Sequence, residues 1–258
     1  MVRRPPRPTL FSYTTLCRSM PAYQVGTDAA KGVYAALDTQ PLYGTQRCPV
    51  LFSPLSAMSL LDHLVQALSG ALLYHNNSFL SDKAGTTLFG NHINLLEDPF
   101  IPRGLASRLF DGDGVSGQRR NIIYQGRLEG YFLSGYAARR MNMISTGNGW
   151  GPGNLIFTSE KTRSGDTLEI VLEMLNNGLF ITNFSGGEPN LLNGNYSRSL
   201  RGFLVENGKI KHAVEGITVA GNLTDMFNGI VAIGDDQQTK GAFTTGSVLI
   251  DSLLVSGR

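Results

Sequence analysis

Cys48-Pro-Val-Leu-Phe-Ser53-Pro54-Leu-Ser-Ala-Met58 is the stretch that decides the fold. Val50-Leu51-Phe52 has the form of a short apolar strand. A helix follows, predicted from Leu55 to about His75. It places Leu60, Leu61, Leu64, Val65, Leu68 and Leu72 on one broad apolar face, the pattern of a helix packed on a core. A strand that runs straight into a buried helix is a junction where side chains from two elements converge.

Outward from this junction the chain alternates short strands with few helices. Asn121–Gln125, Gly126 and Arg127–Leu133 read as a hairpin. A clearer one is Gly202–Glu206, then Asn207-Gly208, then Lys209–Val214, because Asn-Gly tolerates the positive φ values of a type I′ turn. Between them Asp166 is placed to cap a helix, with Glu169 three residues on as in a capping box. Leu168, Val171, Leu172 and Leu175 form its buried stripe, and Gly178 is placed to end it. Phe180–Phe184, Ile230–Ile233 and Val248–Val255 read as further strands. There is no internal repeat. The expected fold class is α+β, with largely antiparallel sheets and a few packed helices.

Composition limits the function classes. The 258 residues suffice for a substantial core. The net charge of +2 and the lack of a Lys/Arg cluster with interleaved aromatics argue against nucleic-acid binding. No apolar run reaches the ~20 residues that span a bilayer. The best candidate, Leu55–Tyr74, is interrupted by Asp62, His63 and Gln66. Cys17 and Cys48 make no disulfide framework, so a reducing, cytoplasmic location is expected.

The first nineteen residues stand apart. They hold Arg3, Arg4, Arg7, Arg18 and three prolines with no acid. Thr9–Ser19 resembles the translation of a sequencing adapter with a few altered positions. Residues 1–19 are therefore expected to be a non-native or disordered leader, which would leave Cys48 as the only native thiol. Residues 20–46, with Ala29-Ala30 and Ala35-Ala36 hinting at a helix, are expected to be the remnant of a linker or central region. Residues 47–258 form the expected domain.

Residues able to carry chemistry are scattered. Zinc hydrolysis needs three protein ligands and a carboxylate beside an open position. His63 and His75 lie roughly three turns apart on one helix, too far for a single ion, and no Glu follows either. They read as surface or helix-end histidines. Asp111-Gly-Asp113-Gly114 begins like a calcium loop but fails at Val115 and Ile122, so a tight acidic turn is expected. Gly147-Asn-Gly149-Trp150-Gly151-Pro-Gly153 does not match a dinucleotide-binding loop. It reads equally as a cleft loop, with Trp150 as a contact residue, or as a long turn. Cys48 precedes an apolar strand and reads as a buried, inert thiol. No Gly-x-Ser-x-Gly nucleophile elbow occurs. On spacing alone, no catalytic, metal or cofactor site is predicted.

Several segments carry a likeness to a known family. They are Phe110-Asp-Gly-Asp-Gly-Val-Ser-Gly-Gln-Arg-Arg-Asn-Ile-Ile123, Ser145-Thr-Gly-Asn-Gly149 and Phe203-Leu-Val-Glu-Asn-Gly-Lys-Ile210. To these are added Ile217-Thr-Val-Ala-Gly-Asn-Leu-Thr-Asp-Met-Phe227 and Thr245-Gly-Ser-Val-Leu-Ile250. In order and spacing this set resembles the C-terminal domain of the TldD/PmbA family, and within it the PmbA (TldE) branch.

The resemblance implies a heterodimer in which the TldD-type subunit carries zinc on His-Glu-x-x-x-His, completed by a Cys near its C-terminus. Laid on this sequence, the motif falls on Ser53, Pro54 and Met58. Ser and Met are poor zinc ligands beside imidazole, and Pro has no acid/base group. Near the C-terminus Thr244-Thr245 stands where the third ligand is expected. No His-Glu dipeptide exists in any register. The resemblance thus implies a non-catalytic subunit without zinc of its own, a TldD-type zinc protease as partner, and unfolded or small peptides as substrates. It also implies an N-terminal α/β domain, which points to truncation at the adapter-like junction. A metalloprotease in its own right, or a peptide-binding module without a protease partner, are the alternatives.

Overall fold

Val50-Leu51-Phe52 is buried on both faces, which fixes its place inside the protein. In the computed structural model, which describes residues 22–35 and 37–258, these residues end strand β1 (Thr45–Phe52). Val50 and Phe52 enter the main core, and Leu51 enters a smaller one on the opposite face, as the two-residue period of a strand requires. The leader reading of residues 1–19, Cys17 included, lies outside the described residues.

The chain divides into two units, 1–39 and 40–258. The first contributes helix α1 (Ala22–Ala35), with Tyr23, Val33 and Tyr34 exposed. The second holds two sheets. In one, β1 is followed in order by β6 (Gly178–Gly186), β7 (Asn195–Glu206), β8 (Lys209–Asn222), β12 (Val248–Ser256) and β9 (Ile230–Ile233). β1 also pairs with β12, so β1, β6, β7, β8 and β12 close into a ring and β9 lies outside it. The other sheet runs β10 (Gln238–Lys240), β11 (Phe243–Thr245), β5 (Asn154–Ser159), β2 (Ile93–Asp98), β3 (Arg120–Tyr124) and β4 (Arg127–Leu128). Only β1–β6 and β5–β11 pair in parallel among the described strands. The fold is α+β, as the sequence pattern indicates.

Helix α2 (Pro54–Ala67) starts where β1 stops. Its Leu60, Leu61, Leu64 and Ala67 join one core with Ile93, Ile123 and Phe157 of the second sheet and Ile181, Leu200 and Val219 of the ring. Each of these Leu, Ile, Val and Phe side chains contributes about 1.5–3 kcal/mol by leaving water. The predicted helix to His75 is shorter in the structure. The N–H of Phe132 donates to the carbonyl of Leu68 (3.0 Å) and the N–H of Gly70 donates to the carbonyl of Phe132 (2.9 Å). These cross-chain bonds take backbone groups that a continuous helix would use. The chain restarts as the single turn α3 (Gly70–Leu73), capped by Ser69.

Phe132 also ends the first hairpin early. Its strand β4 covers Arg127–Leu128 rather than running to Leu133, because the backbone of residue 132 has turned to α2. Gln125 (φ 47°) and Gly126 (φ 79°) form the turn. The second hairpin turns at Asn207 (φ 52°) and Gly208 (φ 73°), as the Asn-Gly dipeptide predicts. Its strands are longer than expected and reach back to Asn195 and on to Asn222. The polar residues Ser197, Arg198, Ser199 and Arg201 mask the first of them in the sequence pattern. Gly216 (φ 65°) is the extra residue of a bulge between the Leu200–Ile217 and Arg201–Glu215 pairs.

In helix α5 (Leu168–Leu175) the N-cap position falls on Thr167, not Asp166, and its side chain makes no capping hydrogen bond. The Asp166 carboxylate instead accepts from the N–H of Arg163 at 2.7 Å. Asn176 (φ 56°) ends this helix, and Gly178 has another task. A Cβ at Gly178 would lie 2.3 Å from the carbonyl oxygen of Pro49, so glycine permits β6 to approach β1. Two short helices not predicted from sequence, α4 (Gly135–Arg140) and α6 (Leu223–Asn228), complete the described elements.

Candidate functional site

At the β1–α2 junction Ser53, Pro54 and Met58 are committed to structure. The N–H of Ser53 donates to the carbonyl of Ile181 at 2.9 Å, tying the junction to β6. The Ser53 hydroxyl is the N-cap of α2. It accepts from the N–H of Ser56 (3.4 Å) and donates to the Ser56 hydroxyl (3.0 Å). Pro54 fills the first helical position, where a missing N–H costs nothing. Met58 is 6% exposed. Phe52 pairs with Val248, so the Ser53-Pro54 turn and the Thr245–Ser247 turn lie at the same end of β1 and β12. Helix α2 also packs against β11, which ends at Thr245. Thr245 is fully buried, and its hydroxyl donates to the carbonyl of Gly246 at 3.1 Å. Thr244 shares a hydrogen bond with Thr239 at 2.8 Å.

The glycine-rich loop is pinned from two sides. Glu97 on β2 is 2% exposed and accepts from Arg120 Nε (2.9 Å), Asn148 Nδ2 (2.6 Å) and the N–H of Gly153 (2.7 Å). Asp111 accepts from the N–H groups of Asp113 (2.9 Å), Val115 (3.0 Å) and Gly149 (2.8 Å). Burial pushes the Asp111 carboxyl up, but these three donors, with Arg108 nearby, hold it below the usual carboxylate range. The tight acidic turn expected at Asp111–Gly114 is therefore also a clamp on the loop. Gly149 and Gly151 line a cleft of about 320 Å³, facing Val65, Ser69 and Gly70 at the end of α2. Gly147 and Trp150 do not line it. A Cβ at Gly147 would meet the Ser116 carbonyl at 2.6 Å. Trp150, 66% exposed, lies over Gly112, where a Cβ would approach its Nε1 to 2.5 Å.

His63 departs from the surface histidine expected. It is 4% exposed, because it faces the ring of strands rather than solvent. Its Nε2 lies 3.4 Å from the Arg198 guanidinium, which also donates to the Ser59 hydroxyl at 2.7 Å. Burial first, and the Arg198 charge second, push the His63 pKa below its ordinary value. His75 stays exposed with its ring against Tyr74, so the structure does not bring the two together. His92 is buried and shares a 2.8 Å hydrogen bond with Ser159. Cys48 is half-buried rather than buried, and desolvation pushes its thiol up.

Sequence reasoning passed over the Glu97 network and Arg198. The signal for Arg198 was its phase. Tyr196, Arg198 and Leu200 lie on one face of β7, so a charged residue occupies an inward position. Among the described residues, no three His, Cys, Asp or Glu side chains are grouped as a metal would need. No described helix is long and apolar enough to cross a membrane.

Comparison with known proteins is consistent with this architecture. The family described as PmbA/TldA metallopeptidase C-terminal domain matches residues 45–257. The metalloprotease PmbA of Escherichia coli O157:H7 is 36% identical over 234 residues, covering 91% of this chain and 51% of that protein. A PmbA homolog of Haemophilus influenzae is 36% identical over 233 residues, covering 90% of this chain and 51% of that protein. A TldD homolog of Buchnera aphidicola is 27% identical over 175 residues, covering 60% of this chain and 35% of that protein. The chain spans about half the length of the PmbA relatives it matches. A crystal structure described as a putative modulator of DNA gyrase from Bacteroides thetaiotaomicron superposes with a TM-score of 0.84 at 27% identity, over 90% of this chain and 52% of that one. TldE from Thermococcus kodakarensis, at 22% identity, shares the fold with a TM-score of 0.80 over 93% of this chain and 56% of that one. The chain belongs to the PmbA/TldD metallopeptidase family, as a PmbA-like C-terminal domain.

Proposed function

We propose that this chain is a non-catalytic, PmbA-type subunit that pairs with a TldD-type zinc metalloprotease and helps enclose a cleft for unfolded or small peptides. The observation that carries the reading is the chemistry of the β1–α2 junction. Laid on His-Glu-x-x-x-His, the junction reads Ser53, Pro54 and Met58. Ser53 is the helix cap, Pro54 has no acid/base group, and Met58 is buried. The Phe52–Val248 register supports this alignment, because it brings Thr244-Thr245 to the end where a C-terminal ligand would be needed. These residues do not fit zinc, so this reading gives the chain no metal chemistry of its own. Zinc belongs to the partner in this reading.

The higher identity to PmbA proteins than to a TldD homolog supports the assignment of side. The cleft between Val65 of α2 and the wall formed by Gly149 and Gly151 is where a peptide would lie. The reading places the complex in the cytoplasm, with no nucleic-acid or membrane partner.

The test is co-purification with the TldD-type protein of the same genome. Zinc content and peptide cleavage are read for each subunit alone and for the pair. Zinc confined to the TldD-type subunit, with cleavage that requires both, is the expected result. Zinc-dependent cleavage by this chain alone overturns the reading, and failure to form a pair favours a peptide-binding module without a protease.

A further inference from the structure

Arg198 is a buried cation, 9% exposed, with no carboxylate within ion-pair distance among the described residues. The exposed Glu188 acts on its neighbours His63 and Tyr196 only from farther off, through its charge. The Arg198 guanidinium instead donates to the Ser59 hydroxyl (2.7 Å), approaches His63 Nε2 (3.4 Å), and stacks over Phe184 with its carbon 4.0 Å from the ring centroid. None of these neighbours neutralises it, and buried charges are as a rule paired. Arg198 Nε and the hydroxyl of Tyr196, which is 2% exposed, make no hydrogen bond of good geometry, although the two side chains lie close enough for the guanidinium to act on the phenol. Both come from the inward face of β7, two residues apart. Ser59 and Phe184, which border the group, are half-buried, so the cluster reaches the protein surface.

We propose that Arg198, Tyr196 and Ser59 form a site for a carboxylate carried by a bound peptide. The guanidinium supplies the charge and paired donors that match a carboxylate, and the phenol supplies a third donor. Ser59 directly follows Met58 on α2, so the site adjoins the β1–α2 junction. The inference rests on the peptide-binding reading above and deepens it, by giving the substrate a chemical class. The carboxylate comes from a peptide C-terminus or an acidic side chain, and both present the same two oxygens.

The test is calorimetric binding to the full chain of three short peptides of one sequence. One carries a free C-terminal carboxylate, one a C-terminal amide, and one an amide with a single internal Glu. A carboxylate peptide is expected to bind about tenfold tighter than the plain amide, the worth of a charge-assisted hydrogen bond. Whichever acid arm shows the gain identifies the source. The preference is expected to vanish in Arg198→Gln. Equal affinities of all three peptides, no binding at all, or a preference that survives Arg198→Gln overturns the proposal.

His63 provides a readout independent of that variant's folding. A carboxylate seated beside Arg198 raises the His63 pKa, followed by its NMR titration in the wild-type chain. A His63 titration unmoved at saturating acid peptide likewise overturns the proposal. These outcomes leave the subunit reading standing, because they do not depend on zinc or on pairing. A failed co-purification leaves the carboxylate preference standing.

Discussion

Replacing Glu97 with Ala removes the shared acceptor of three donors at once. The carboxylate is the only acid within ion-pair distance of Arg120 among the described residues, at 2.9 Å, with side-chain exposures of 3% for Glu97 and 18% for Arg120. Removing one partner of a buried ion pair costs about 3–5 kcal/mol, because the other charge stays in the interior uncompensated. Asn148 Nδ2 retains a longer contact to the Gly151 carbonyl (3.2 Å), but the N–H of Gly153 loses its acceptor. A chain of this size shifts its Tm by about 2–4 °C per kcal/mol, so Glu97→Ala is expected to lower Tm by roughly 6–20 °C.

A control with the same pair type isolates the cause. Arg201 and Glu215 lie 3.0 Å apart, but their side chains are 64% and 51% exposed. Glu215→Ala is expected to cost less than about 1 kcal/mol. Thermal and urea unfolding measure both variants. Trp150 fluorescence reads whether the loop is released, since Asn148 and Gly153 flank it. The double variant Glu97→Leu/Arg120→Leu is expected to be less destabilised than the single variants sum to, because no buried charge is left alone. A Glu97→Ala loss no larger than that of Glu215→Ala, with Trp150 emission unchanged, refutes the claim that this network holds the loop.

Other perturbations follow from single contacts. Gly202→Ala puts a Cβ 2.2 Å from the Phe180 carbonyl oxygen on the neighbouring strand. It is expected to destabilise the chain by more than about 1 kcal/mol, as overpacking does, and an unchanged urea midpoint would disprove the close approach. His63 has a lowered folded-state pKa, so the unfolded chain takes up its proton first. The stability it contributes is full above about pH 6.5 and declines as pH falls toward the folded value. Arg198→Gln is expected to raise the His63 pKa by NMR without restoring its ordinary value, since burial is the larger cause. An unmoved titration would show that the Arg198 charge does not act on His63. The triple variant Ser53→His/Pro54→Glu/Met58→His is expected to yield no zinc-dependent cleavage, because the third ligand is lacking and Thr245 is fully buried. Zinc-dependent activity in that variant would mean another side chain reaches the site.

What the sequence determined by itself was whatever depends on local chemistry. Val50-Leu51-Phe52 is apolar on both faces of a strand, so it had to be internal, and the Leu60–Leu64–Leu68 stripe had to be a packed helix. Asn207-Gly208 carries the positive φ of its turn whatever surrounds it. That Ser53, Pro54 and Met58 carry neither imidazole nor carboxylate is legible in the residue types alone. Tertiary structure alone decided the rest, because it depends on partners far apart in sequence. Leu68 ends its helix because the backbone of Phe132 claims its carbonyl. Glu97 matters because Arg120, Asn148 and Gly153 converge on it. Arg198 reads as one more polar strand residue until β7 turns it inward to His63, 135 residues away in the chain. Local preference is written in neighbouring residues, whereas burial and charge pairing exist only once the chain has closed on itself.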